Sequence, residues 1–383
     1  MIYRTLFTLL LSVITAHALL NTETLQLQAI GVTTEQFPDA DEVLLNDITE
    51  VTYQPDGTSQ TQTDTALKIL TEKGKRNNRT LSLSFNISYG TNYFTHVERI
   101  TPQGEIIPID IASNSRLMVN PSQMSANIYN PNSKILQLSI PGLQIGDLLR
   151  YATHDQVTKT VVPNTWSDYQ VFEADIPILK ATYLVNAPAE RPLQNLLLKD
   201  EIPGTLTHTE PHTEDRIHYT WTIENVPQYF AEPSMPTPYT VTQRLLISTI
   251  ETWEDLSRWY WNLCLPRMEC TTPAMEAKTR ELAAGKSTQE IIEALFTFVS
   301  QEIRYMGITT EEEAPGYEPH DVSITFENRY GVCRDKAALL AAMLRIAGVD
   351  AFPVIIMAGP KKDEEVPQPF FNHAVTAALD DNG

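Results

Sequence analysis

The stretch 329–352, "RYGVCRDKAALLAAMLRIAGVDAF", decides how the C-terminal third of the chain folds. Within it Ala337, Leu340, Ala341, Leu344 and Ala347 recur at helical spacing, and Gly348 stands where a C-terminal cap belongs. This predicts a helix with Cys333 in or just before its first turn. Unpaired backbone N–H groups and the positive end of the helix dipole gather there and favour an anion. Helix N-termini and nearby cations lower a cysteine pKa from about 8.5 to roughly 3.5–7.5. Arg334 and Lys336 adjoin Cys333 in sequence. Two readings stay open at this point: a reactive thiolate, or a buried cysteine that packs as a small hydrophobe. Asp335 either supports the helix end through its charge or is a solvated first-turn residue.

Downstream, "FPVIIM" (352–357) predicts a strand, "AGPKKDEEVPQP" (358–369) a loop, and "FFNHAVTAAL" (370–379) a second strand that carries His373. "DDNG" (380–383) is hairpin-turn sequence, so the segment reads as cut off inside a hairpin. A cysteine nucleophile needs a base within hydrogen-bond reach, and an imidazole can take the thiol proton and later return it to a leaving group. A histidine on a strand is also an ordinary structural residue, so spacing alone leaves its role open.

Upstream, "TWEDLSRWYWNLC" (252–264) offers Thr252 as an N-cap and Trp253, Leu256, Trp259 and Tyr260 as an apolar face. "STQEIIEALFTFVSQEIRYM" (287–306) follows with Ile291, Ile292, Leu295, Phe298, Val299 and Ile303. Aromatics at this spacing read as core. From about 45 to 225 the period shortens to two. "LSLSFNISY" (81–89) and "RIHYTWTI" (216–223) alternate apolar and polar residues, with turn signals at Pro55-Asp56-Gly57, Pro102-Gln103-Gly104, Pro141-Gly142 and Pro203-Gly204. "TALKILTEKGK" (65–75) fits strand or helix equally. Pro227, Pro233, Pro236 and Pro238 mark an extended connector between the two regions.

A chain of 383 residues exceeds what one core usually supports, which predicts two or three domains. With 42% hydrophobic residues there is material for real cores, and a net charge of −20 opposes phosphate, so nucleic acid is excluded as a partner. The start, "MIYRTLFTLLLSVITAHA", has Arg4, an apolar run from Leu6 to Ile14 and then Ala16-His17-Ala18, the pattern of a secretory signal peptide. The rest has no apolar stretch long enough to span a bilayer, so the expectation is an exported protein, periplasmic or extracellular, with no integral membrane segment. In such a compartment Cys264 and Cys270 could pair and leave Cys333 over. All three could equally be core thiols, or Cys333 could pair with one of the others.

Other signals fail. His208 and His212, with Glu210 between them, have the spacing of a zinc-protease pair, but Pro211 denies them a helix and a polar loop is expected. There is no P-loop, dinucleotide fingerprint or CxxC. Asn78 and Asn86 open formal glycosylation sequons.

"RYGVCRDKAALLAAMLRIAGVDAFPVII" followed by "FNHAV" resembles the core of the transglutaminase-like superfamily, whose members carry a helix-borne Cys, then a strand-borne His, then an Asp or Asn on the next strand. "EIRYMGI" (302–308) and the helix at 253–264 fit the same family. The stretches "YQPDG", "LKILTEKG", "ITPQGEIIPI" and "IPGLQIGDLLRY" resemble the β-rich domain of unknown function that precedes such cores in exported bacterial proteins. The resemblance implies Cys333 as nucleophile and His373 as its base. It puts the third member beyond Gly383, with Asp380 and Asp381 as turn residues, and it requires no metal or cofactor. Some animal relatives use calcium, but the acidic runs "TTEEEA" and "KKDEEV" lack an EF-hand arrangement. Val332 stands where many relatives have a polar residue.

The expected fold is multidomain α+β. An N-terminal antiparallel β-sandwich-like domain precedes a papain-like, transglutaminase-like α+β core that is incomplete at its C-terminus. The boundaries read 1–18 signal peptide, 19–44 lead segment, 45–226 β-rich domain, 227–250 connector and strand, and 251–383 core. The expected function is cysteine-dependent acyl transfer on protein or peptide amides. A cysteine peptidase or amidohydrolase on the same core, and a non-catalytic cell-envelope scaffold, are the alternatives.

Overall fold

The computed structural model describes residues 20–308, 316–359 and 363–380. The signal-like segment, the acidic run 309–314 and residues 381–383 of the expected hairpin turn lie outside the described residues.

The N-terminal region is built on an eight-stranded sheet. Its spatial order is Leu206–Thr209, Arg216–Val226, Ile178–Pro188, Glu42–Tyr53, Ser59–Ile69, Leu148–Val157, Gly90–Ile100 and Ile106–Pro108. Alternation in the sequence becomes alternation of burial: Ile217, Tyr219, Trp221 and Ile223 are all buried while the residues between them are not. One feature departs from the expected antiparallel sandwich, because Glu42–Tyr53 and Ile178–Pro188 run parallel. A parallel neighbour needs a long crossover, and the chain between these strands supplies it with the other half of the sheet.

Two three-stranded sheets complete the region. Thr80–Asn86, Ser133–Ser139 and Ser115–Val119 bring Leu138 against Ile69, Phe94 and Leu149. Ser167–Val171, Arg244–Ser248 and Asn195–Lys199 bring Leu245 and Ile247 against Tyr183, Val185 and Trp221. The central strand of the second set, Arg244–Ser248, is buried along its whole length. Thus the end of the expected connector is a core strand of the β-rich layer.

The ambiguous stretch 65–75 is both things in turn. Ser59–Ile69 is a strand, and Thr71 then caps the short helix Glu72–Asn77 by accepting from the Lys73 and Gly74 N–H groups. The lead segment also folds: Asn21 caps the helix Thr22–Ile30, whose Leu25 and Ala29 are buried beside Leu45, Ala66 and Leu148.

The C-terminal region packs the helices Trp253–Glu269, Pro273–Ala283, Thr288–Glu302 and Val322–Asn328 around the cysteine helix, Cys333–Ile346. The hairpin Ala351–Ile356 and His373–Ala378 closes the remaining side. Ala338, Leu339, Ala342 and Met343 are buried along with the predicted face, because neighbours surround the cysteine helix on nearly every side. Gly348 ends it as expected. At φ +87° it lets its own N–H reach the Arg345 carbonyl and the Val349 N–H reach that of Leu344, the double bond of a Schellman motif.

Candidate active site

Cys333 is the first residue of its helix and is half-buried. Val332 before it is extended, so the Cys333 N–H belongs to the first turn and has no partner within the helix. Asp335 fixes this end. Its carboxylate accepts from the Val332 N–H at 2.9 Å, from the His320 N–H at 2.9 Å and from His320 Nδ1 at 3.0 Å. Burial works to raise the Asp335 pKa, but the His320 hydrogen bonds and the Arg334 charge outweigh it and leave the carboxyl below its ordinary value. Asp335 is therefore a buried anchor and not a solvated residue.

The sequence neighbours point elsewhere. Lys336 Nζ donates to the Ile303 carbonyl at 2.6 Å, capping the end of Thr288–Glu302, and Arg334 donates to the Gly316 carbonyl. Adjacency in sequence turns with the helix, so only Arg334 reaches the hollow in front of the cysteine.

That hollow has a volume of about 250 Å³, and both Cys333 and His373 line it. His373 opens its strand opposite Ile356, and Thr376 Oγ1 donates to the Ala337 carbonyl at 3.0 Å, tying the histidine strand to the cysteine helix. Tyr305 lines the same wall. It stands beside Cys333; partial burial of the phenol, foremost, and the neighbouring thiol raise its pKa and keep it protonated. Tyr305 was not singled out from the sequence, although it sits in "EIRYMGI", at the short bridge that pairs Arg304–Tyr305 with Tyr330–Gly331. The β-rich region contributes Asn86, Ser88, Asn130 and Asn132 to the same lining.

The other two thiols stand apart. Cys264 is buried in the helical core, where desolvation pushes its thiol up to about 12, while Cys270 is exposed at the helix end. Both are free, as is Cys333. On a helix of 3.6 residues per turn a separation of six turns two side chains roughly 240° apart, which separates Cys264 from Cys270. His208 lies on a strand and stacks on Trp221 at 4.7 Å, and His212 bridges to Ile217, so the expected polar loop is instead a sheet edge. A larger hollow of about 630 Å³ beside Trp253 and Trp261 has neither cysteine nor histidine among its described lining residues. Asp380 follows the histidine strand.

Residues 276–383 match the family model of the transglutaminase-like superfamily, and residues 55–230 match that of a domain of unknown function with solved structures, DUF3857. Residues 276–383 thus carry a transglutaminase-like core. Among solved structures, one from Parabacteroides distasonis described as a "putative protease" superimposes with a TM-score of 0.72 at 15% identity, covering 89% of this chain. The present chain spans 66% of that structure's length, just under two thirds. An M1 zinc metallopeptidase from Deinococcus radiodurans matches at 11% identity over 54% of this chain and 42% of its own, with a TM-score of 0.28, too slight a likeness to carry an argument. No match was found among curated proteins. The transglutaminase-like fold and the preceding β-rich domain thus agree with the architecture expected from the sequence, with the parallel strand pair as the correction.

Proposed function

We propose that the chain is a cysteine-dependent enzyme that forms a thioester between Cys333 and the acyl group of a protein or peptide amide. The observation that supports it is the placement of Cys333, His373 and Tyr305 around one small hollow at a helix N-terminus. In this reading His373 takes the thiol proton as Sγ attacks the carbonyl carbon. The negative charge that develops on oxygen is met by the Cys333 N–H and the Tyr305 hydroxyl once the phenol turns to the substrate. Collapse breaks the C–N bond, and the imidazolium returns its proton to the departing amine or ammonia. A second nucleophile, deprotonated by His373, then attacks the thioester and releases Cys333. An amine gives transfer and water gives hydrolysis.

Hydrolysis is favoured as the second reading by the fold-mate described as a protease. Neither outcome calls on a metal or cofactor in this scheme. The signal-like pattern at 1–18 supports action outside the cytoplasm.

The deciding experiment is alkylation and acylation of the folded chain, read by peptide mass. Iodoacetamide is expected to modify Cys333 selectively and faster than an ordinary thiol, and an activated acyl ester to leave its acyl group on Cys333. Cys264 stays protected by burial and its raised pKa, and Cys270 is replaced by serine to remove the exposed background. Cys333→Ala and His373→Ala are expected to lower acylation by about 10³-fold or more. A Cys333 that reacts no faster than an ordinary thiol, or is not acylated, leaves the non-catalytic scaffold as the correct reading.

A further inference from the structure

We propose that the β-rich domain forms the substrate-reading wall of the cysteine site, with Asn86, Asn130 and Asn132 recognising an uncharged amide. This deepens the acyl-transfer reading and rests on it for the name of the reaction, but its binding surface is defined by the structure alone. The three asparagines and Ser88 line the same 250 Å³ hollow as Cys333 and His373, all half-buried. They belong to the end of the strand pair Thr80–Asn86 and Ser133–Ser139 and to the loop before it.

The wall is fastened to the catalytic half by backbone. Ile128–Tyr129 pairs in parallel with Gly307–Ile308, and the Gly307 N–H donates to the Asn127 carbonyl at 3.0 Å, two residues beyond Tyr305. At Gly307 a Cβ would come within 2.7 Å of a Val332 methyl, so the close approach of this bridge to the cysteine helix requires glycine.

Local hydrogen bonds fix which polar atoms remain for a ligand. Asn86 Oδ1 accepts from the Ser88 N–H at 2.9 Å, and Asn130 Oδ1 accepts from the Asn132 N–H at 2.9 Å. Both carboxamides thus spend their oxygens on turns and keep their Nδ2 donors. Asn132 does the reverse, donating through Nδ2 to Ser88 Oγ at 3.0 Å and keeping its Oδ1 acceptor. Donors and an acceptor side by side complement a group that is itself both, such as a peptide bond or a side-chain carboxamide. No carboxylate lines the hollow among the described residues, although the chain as a whole carries a charge of −20. Arg334, also in the lining, donates to the Gly316 carbonyl, so an ammonium ligand meets a like charge there, whereas a neutral amide needs no counter-charge.

The test is binding of the neutral peptide N-acetyl-Ala-Gln-Gly-amide to the full chain carrying Cys333→Ala, measured by calorimetry or NMR titration. Two double variants probe the wall. Asn86→Asp with Asn130→Asp keeps both turn-capping oxygens and removes both donors, and Asn86→Ser with Asn130→Ser removes the same donors without adding charge. Both are expected to raise the dissociation constant about tenfold at an unchanged melting temperature. Unchanged binding in the serine variant, no peptide binding at millimolar concentration, or tighter binding of cellobiose than of the peptide overturns the proposal. Peptide binding that responds to the wall in a chain whose wild-type Cys333 forms no acyl-enzyme removes the catalytic reading and leaves this one standing.

Discussion

Tyr305 lines the hollow with Cys333, close enough for the thiol to bear on the protonation of its phenol. A phenylalanine keeps the ring and loses only the hydroxyl, so the variant separates packing from chemistry. We expect Tyr305→Phe to slow acylation by about 10²-fold, the loss typical of one oxyanion-hole donor, with substrate binding little changed. Alkylation by iodoacetamide develops no oxyanion and should change far less. Single-turnover acylation beside alkylation rates reads the difference, and equal losses in both would reduce Tyr305 to a residue that tunes the thiol. At this scale Cys333 and His373 were singled out through the family resemblance, since spacing alone left the histidine open, and both line one hollow. Tyr305 was not, because its role depends on the Arg304–Tyr305 bridge to Tyr330–Gly331, a pairing that leaves no periodic mark in sequence.

The helix that carries the cysteine is held at its N-terminus by one carboxylate. Asp335 is 2% exposed and receives hydrogen bonds from Val332 and His320. Because its folded pKa lies below the ordinary value, it contributes stability that is fully present above the unfolded pKa of about 3.9 and is lost as pH falls through the lower folded value. Urea midpoints measured from pH 5 downward should therefore fall more steeply for the wild type than for Asp335→Asn below about pH 4. At neutral pH the asparagine variant should be less stable by about 1–3 kcal/mol, since it weakens charge-assisted bonds without emptying the site. The periodicity of 337–347 disclosed the helix and Gly348 its end. It did not disclose how many sides are covered, since alanines at 338 and 342 read as neutral fillers until the surrounding helices are present. The duality of 65–75 was likewise hidden, because Thr71 acts as a cap only where the strand before it ends.

Across the whole molecule, the loop that leads into His373 is strapped to the β-rich region. Arg244, buried on the all-buried strand Arg244–Ser248, donates to Asp363 at 2.9 and 3.0 Å and also pairs with Asp200; Lys199 adds a 2.6 Å contact to Asp363. Gln368 Nε2 donates to the Asp168 carbonyl at 2.7 Å, while within the C-terminal region Trp253 Nε1 donates to the Glu364 carbonyl at 2.7 Å. The acidic run that lacks a calcium pattern thus supplies ion pairs between regions, which its composition alone could not reveal. Removing Arg244 leaves Asp363 with Lys199 only, so Arg244→Met should cost about 3 kcal/mol, the low end for a broken buried pair. Its effect on function is expected to exceed its effect on folding. With the strap loosened, hydrogen exchange across 363–372 should quicken, and His373, at the end of that segment, should be held less firmly in the hollow that it lines with Cys333. Acylation measured well below the melting transition is then expected to fall by roughly 10- to 100-fold, the scale of a small misplacement of a reacting group. Faster exchange with unaltered acylation would show that the hairpin pairing with Ala351–Ile356 is enough to hold the histidine. The β-rich region would then act on the site through its asparagine wall alone.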